Sequence, residues 1–327
     1  DGMGQGSLNL ASLTVHGDTR KLLMEQLPVA GLCSTHSKSS AVTDSAASAT
    51  AIACGTKVNN GNLGITPDDK VLVSVAENAR DAGKSVGILT NDPISGATPA
   101  GFFAHQKKRD MTQEIISDAA ASNFDILLGS SGTKKHFTSN NVTGTPRNLQ
   151  QEMEEAGYVF VETVNEFLKV PAGKKTVAQI KFSEFASDEI TLSEITASAI
   201  KKLSRNKKGF FMMVETALPD KHGHGNNKNG SILGVLQADW VVKVALDYAV
   251  ANRDTLVICT ADHETGALTA LKSVVEGSEP VAHFASGSHS GVAVPIYSYG
   301  PGAEKFSGII DNVDIAHNIR ALWNFEE

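Results

Sequence analysis

Three short runs, Ser85–Thr90 (SVGILT), Gly209–Glu215 (GFFMMVE) and Thr255–Thr260 (TLVICT), are apolar almost from end to end. A strand with one wet face alternates apolar and polar residues, so runs like these predict strands covered on both faces. Pro28–Cys33, Phe124–Leu128, Tyr158–Val161 and Val292–Tyr299 read as further strands. Between them lie stretches of helical periodicity: Val71–Ala82 closed by Gly83, Thr112–Ala121, Leu149–Ala156, Leu192–Leu203, Val235–Val250 and Val313–Trp323. Strands that alternate with helices predict an α/β fold, a three-layer sandwich with a central, mainly parallel sheet between helices. A helix is also expected near Thr19–Glu25, surface loops over 130–146 and 221–230, and an irregular segment over 164–190. With no repeat and no long linker, residues 1–327 read as one domain with short accessory segments near 130–208 and 270–288. Asp1-Gly2-Met3-Gly4 reads as a strand end turning into a loop, so a first strand is expected upstream of it.

The charge balance removes two classes of function. A net charge of −7 gives no general footprint for nucleic acid or an anionic membrane. No apolar run approaches the roughly 20 residues of a membrane span. Cys33, Cys54 and Cys259 show no CxxC spacing, and Cys259, inside an apolar run, reads as a buried free thiol.

Thr43–Thr50 (TDSAASAT) places one carboxylate and one hydroxyl at the head of a run of very small side chains. Asp favours a helix start and alanine its interior, so a helix is expected from Ser45 to Gly55. Taken alone, this is also the sequence of a capped, tightly packed core helix. In open α/β sheets, however, sites lie beyond the carboxyl ends of the strands. There this chain gathers its unusual polar residues: Asp92 and Thr98 after one run, Glu215, Asp220, Lys221, His222 and His224 after the second, Asp262 and His263 after the third. His289 just precedes a fourth strand. Carboxylates and imidazoles crowded at one sheet edge repel or stay unsatisfied unless they hold metal. Mixed Asp and His ligands suit zinc, and Asp, Thr and Glu oxygens suit magnesium.

In this order and spacing the chain resembles the alkaline phosphatase family. The matching segments are Asp1–Gly4, Thr43–Thr50, Ala97–Ala100, Ala104–Arg109, Val214-Glu215, Asp220-Lys221 with His224, Thr260–His263 and His289–Gly291. The resemblance implies hydrolysis of phosphate monoesters, with inorganic phosphate as product and inhibitor. It implies Ser45 as a nucleophile that becomes a phosphoserine. It implies one zinc ion on Asp220, His224 and His289, and a second on Asp262, His263 and Asp1 with the Ser45 oxygen as a further ligand. A magnesium ion would take Asp1, Thr98 and Glu215. Arg109 would grip two phosphate oxygens, Asp44 would position Arg109, and Lys221 would reach the phosphate through water. A periplasmic or secreted location and a homodimer are further family traits.

One position departs from the pattern. The family usually has Asp or His two residues before the magnesium-site Thr or Ser, and here that residue is Gly96. Magnesium is therefore expected to be looser, and Gly96→Asp to tighten it; Asp92 is a carboxylate available in the same loop. His222 is expected to be a solvated loop histidine. Two other functions stand beside the monoesterase: a related hydrolase of phosphodiesters or sulfate esters, and a non-catalytic binder of phosphate or metal.

Overall fold

The computed structural model describes residues 1–186, 190–271 and 279–325. Five parallel strands form one sheet: β2 (Ser85–Pro93), β3 (Ile126–Ser130), β4 (Val159–Val161), β5 (Thr176–Ile180) and β6 (Phe210–Glu215), in the order β4-β5-β3-β2-β6. The second sheet holds β1 (Val29–Ser34), β7 (Val257–Cys259), β8 (Val294–Tyr299) and β9 (Gly308–Asp311), in the order β9-β1-β8-β7. Its β8 runs antiparallel to both neighbours.

Side chains of the parallel sheet separate by the two-residue period of a strand. Phe210, Met212 and Val214 join Leu89, Ile126 and Leu128 against the helix α5 (Thr191–Leu203). Phe211 and Met213 join Val86, Ile88 and Leu127 on the opposite face. That face is covered by α2 (Ser45–Cys54), α3 (Val75–Asp81) and α4 (Thr112–Ala121). Each fully buried Leu, Ile or Phe contributes about 1.5–3 kcal/mol, which is why the uninterrupted runs become central strands. The second sheet packs with α1 (Gln5–His16), the long α7 (Lys228–Asn252) and α8 (Val313–Trp323) around Leu8, Val235, Ile296 and Ile315.

Among the described residues, no hydrogen-bonded ladder joins the two sheets. β6 and β7 are each paired on one edge only. Between them lies a cavity of about 870 Å³, lined by both strands, by Val242 and Ala245 of α7 and by Ile319 and Trp323 of α8. The cavity reaches Asp1 at the site end.

Several local expectations are corrected. The helix expected near Thr19–Glu25 is only a short 3-10 turn over Met24–Gln26, while α1 occupies Gln5–His16 and ends at Gly17 with φ +70°. The segment 164–190 contains a helix (Val164–Lys169) and the fully buried β5. The segment 130–146 contains a short helix, Lys134–Thr138. The helix expected from Val71 starts at Val75, because Ser74 and Glu77 form a capping box and Val71 is drawn into a bridge with Ile65. The expected loop 221–230 is the end of α6 (Leu218–His224) followed by the start of α7. Of the accessory segment near 270–288, residues 272–278 lie outside the described residues. Cys33, Cys54 and Cys259 are free and buried. No described helix is long and apolar enough to cross a membrane.

Candidate active site

α2 begins where its sequence says it must. The Asp44 side chain accepts from the Ala47 N–H at 3.0 Å, and Gly55 closes the helix at φ +72°. Such a cap is worth about 1 kcal/mol. It also holds Ser45, 2% exposed, in the first turn, where the helix dipole is positive. Ser45 Oγ lies 3.2 Å from His263 Nε2.

His263 Nε2 is the meeting point of a buried cluster. Asp262 Oδ2 lies 3.2 Å from it and Asp1 Oδ1 3.4 Å. The other oxygen, Asp262 Oδ1, accepts the N–H groups of Gly2 (3.1 Å) and His263 (3.0 Å). That leaves Asp262 Oδ2 and Asp1 Oδ1 buried with no hydrogen-bond partner. A second cluster stands at the rim. Asp220 Oδ1 is 3.3 Å from His224 Nε2 and 3.4 Å from His289 Nε2, and the two imidazole nitrogens are 3.2 Å apart. Ligand atoms of Asp1, Asp220 and His263 also gather within 4.8 Å, so Asp220 stands between the clusters.

These separations have a simple meaning. Ligands at 2.0–2.1 Å from a tetrahedral zinc ion stand about 3.3 Å from one another. The imidazoles are also oriented as ligands. His224 Nδ1 meets the carbonyl of Gly287 at 2.8 Å and His289 Nδ1 that of Thr43 at 3.0 Å. A carbonyl only accepts, so Nδ1 carries the proton and Nε2 turns its lone pair inward. His263 Nδ1 lies 3.3 Å from Thr265 Oγ1, whose hydroxyl donates to Asp220 Oδ1 at 2.6 Å.

α6 explains how two rim ligands come together. Pro219 sits in its first turn, where a missing N–H costs nothing, and Asp220 and His224 follow one turn apart on one face. The Asp-x-x-x-His spacing after Leu218-Pro219 is the sequence signal for this helix. Thr265, two residues beyond His263, is a site residue that sequence reasoning missed; its position in the Asp262–Thr265 run was the available hint. His222 is half-buried over Gly230 at the start of α7, rather than solvated as expected.

A third set is made of oxygen alone. The Thr98 hydroxyl donates to Asp1 Oδ2 at 3.4 Å, and Glu215 accepts from the Thr90 hydroxyl. Asp1 thus presents one oxygen to the His263 cluster and the other to this set. All-oxygen donors suit magnesium.

Titration follows burial and neighbours. Burial pushes the Glu215 carboxyl up to about 7 and the His263 imidazole down to about 4. Burial also opposes the charge of Asp220, but the neighbouring His289 and the Thr265 hydroxyl outweigh it and hold that carboxyl far below its usual range. For His289 burial is again outweighed, by Asp220 and the Thr43 carbonyl, and its pKa is raised.

Two cations flank the clusters. Arg109 Nη1 is 3.2 Å from Asp44 Oδ2, an oxygen that also accepts the Gly61 N–H at 3.1 Å. Lys221 Nζ pairs with Asp92 Oδ1. At Gly96 a Cβ would lie 2.8 Å from Asp92 Oδ2. A side chain added there therefore requires the Asp92 carboxylate to shift.

An alcohol facing metal-type donors that converge from the ends of both sheets marks a metal-assisted ester hydrolase. A family model described as alkaline phosphatase matches residues 1–284. Alkaline phosphatase 4 of Bacillus subtilis is 30% identical over 98% of this chain and 86% of its own. The structure of an alkaline phosphatase from the Antarctic bacterium TAB5 superposes with a TM-score of 0.88 at 29% identity, covering 100% of this chain and 97% of that one. A single-residue mutant of that enzyme, with a TM-score of 0.86 at 29% identity over 100% and 96% of the two chains, is described with magnesium bound in a site called M3. The chain belongs to the alkaline phosphatase family.

Proposed function

We propose that the chain hydrolyses phosphate monoesters in two in-line transfers, with Ser45 carrying the phosphoryl group between them. The observation that carries this reading is the 3.2 Å approach of Ser45 Oγ, at the positive end of α2, to His263 Nε2. The donor sets support the cofactors. Asp220, His224 and His289 would hold one zinc ion, Asp1, Asp262 and His263 a second, and Asp1, Thr98 and Glu215 a magnesium ion. When bound, the ions supply positive charge that eases ionisation of the serine hydroxyl and of water and offsets charge on the leaving oxygen.

Ser45 Oγ attacks phosphorus as the bond to the ester oxygen breaks, and the alcohol leaves. Water then attacks the phosphoserine, the bond to Oγ breaks, and inorganic phosphate departs. Arg109 holds two phosphoryl oxygens in its planar fork, and its bond to Asp44 keeps a long side chain in register. Lys221 reaches the phosphate through water, and the α2 dipole offsets charge on the equatorial oxygens. Rates on p-nitrophenyl phosphate, its bis-ester and p-nitrophenyl sulfate test the substrate class. The monoester should be fastest, and a faster diester or sulfate would overturn the assignment. A protein that only binds phosphate would turn over none of the three.

A further inference from the structure

Residue 96 has no side chain, and the space beside it is filled from four residues upstream. Asp92 Oδ2 lies 2.8 Å from the place a Gly96 Cβ would take, and the Pro93 carbonyl 3.0 Å from it. The loop is folded tightly here, with the Gly96 N–H donating to that same carbonyl at 2.7 Å. Asp92 Oδ1 meets Lys221 Nζ, the residue beside Asp220 on α6. The Asp92 backbone N–H donates to Thr90 Oγ1 at 2.8 Å, and that hydroxyl donates to Glu215. Asp92 therefore ties Lys221 on α6 to the end of β2 and, through Thr90, to the oxygen-only donor set. Its side chain is 22% exposed and that of Lys221 40%, so the pair stands at the mouth of the site.

We propose that Asp92 is the positioning residue for Lys221, and that Gly96 is present because the Asp92 carboxylate occupies the space of its side chain. The two positions act as a unit: a carboxylate at either 92 or 96 anchors the lysine, and with both present the Asp92 carboxylate must leave the place it holds here. An untethered lysine samples many rotamers, and one held by a charge-assisted hydrogen bond presents its ammonium in one place. Asp92 touches neither the substrate nor the reacting oxygen in this scheme; it acts through Lys221.

The inference rests on the reading of Lys221 as a phosphate contact, and the test separates the two. Dissociation constants for inorganic phosphate are measured by calorimetry on the parent, Asp92→Ala, Asp92→Asn, Gly96→Asp and the double variant Asp92→Ala/Gly96→Asp. Melting temperature is followed for each, and KM and kcat on p-nitrophenyl phosphate are recorded. Asp92→Ala should weaken phosphate binding about tenfold and raise KM more than it lowers kcat. Asp92→Asn, which keeps the shape without the charge, should recover part of that loss. Gly96→Asp alone should melt lower than the parent, and the double variant should bind phosphate within about threefold of it. Phosphate affinity unchanged in both Asp92 variants overturns the proposal, as does a folded double variant no better than Asp92→Ala. If the double variant does not fold, the two single Asp92 variants decide. A parent that neither binds phosphate nor hydrolyses the monoester would sink the functional reading itself.

Discussion

Around His263 the donors are out of solvent, the imidazole at 0%, Asp262 at 2% and Asp1 at 11% exposure; at the rim, His224 is 44% exposed and His289 15%. The donor spacings of the two clusters are nevertheless the same, 3.2–3.4 Å. Shared spacing with different burial implies different duties. Two buried carboxylate oxygens without a hydrogen-bond donor are costly, and a cation between them would make them tolerable. The rim cluster is open to water, and in the proposed mechanism it is where the alcohol leaves and a water enters.

Ser45 Oγ meets the buried cluster at His263, so its removal should separate chemistry from metal binding. Ser45→Ala should lower kcat at least about a thousandfold with metal content per chain close to the parent. A large loss of metal would show that the hydroxyl is a needed ligand rather than the nucleophile.

Substitutions in the two clusters sharpen the contrast. Asp262→Asn should weaken one metal site at least about a hundredfold and lower the melting temperature by about 5 °C. His224→Gln should weaken the other site about tenfold and leave melting nearly unchanged, because a 44% exposed side chain supports little of the core. Equal melting losses in the two variants would erase the distinction.

Acid should empty the clusters in order. A protonated imidazole cannot bind metal. His289, with its raised pKa, takes up its proton above the ordinary 6.5, whereas burial keeps His263 unprotonated until about 4. Lowering the pH from 8 to 5 should therefore release metal from the rim site first, seen as a step in metal per chain on equilibrium dialysis. Loss from the His263 cluster first, or from both together, would contradict this. The smallest effect expected is on phosphate grip: Arg109→Lys keeps the charge but loses the planar fork, and phosphate inhibition should weaken about fivefold.

The parts of the fold legible in the sequence were those whose signal is local. α4 (Thr112–Ala121) and α8 (Val313–Trp323) match their periodicity residue for residue, and the Ser45 helix follows from Asp44 and Gly55. β5 was missed because its five residues, TVAQI, carry an Ala and a Gln; burial against β3 and β4 makes it a strand, and that pairing is not local. α1 was missed because Gly6, following Gly2 and Gly4, looks like the continuation of a loop. Gly6 is there to let the helix lie against the Leu268 carbonyl, which a Cβ would strike at 1.7 Å. At the site, the strand-end rule and the motifs named the chemistry-bearing residues. What they could not give was support from residues with no motif of their own: Thr265 bridging His263 and Asp220, and Asp92 lying over Gly96.

The central claim, that Ser45 carries the phosphoryl group, is tested most directly by trapping it. The protein is quenched in acid while turning over a phosphate-labelled monoester, digested, and its peptides mapped by mass spectrometry. The account predicts label on the peptide containing Thr43–Thr50, at Ser45, and none in Ser45→Ala. Active protein with no covalent label, or label on another residue, would contradict it.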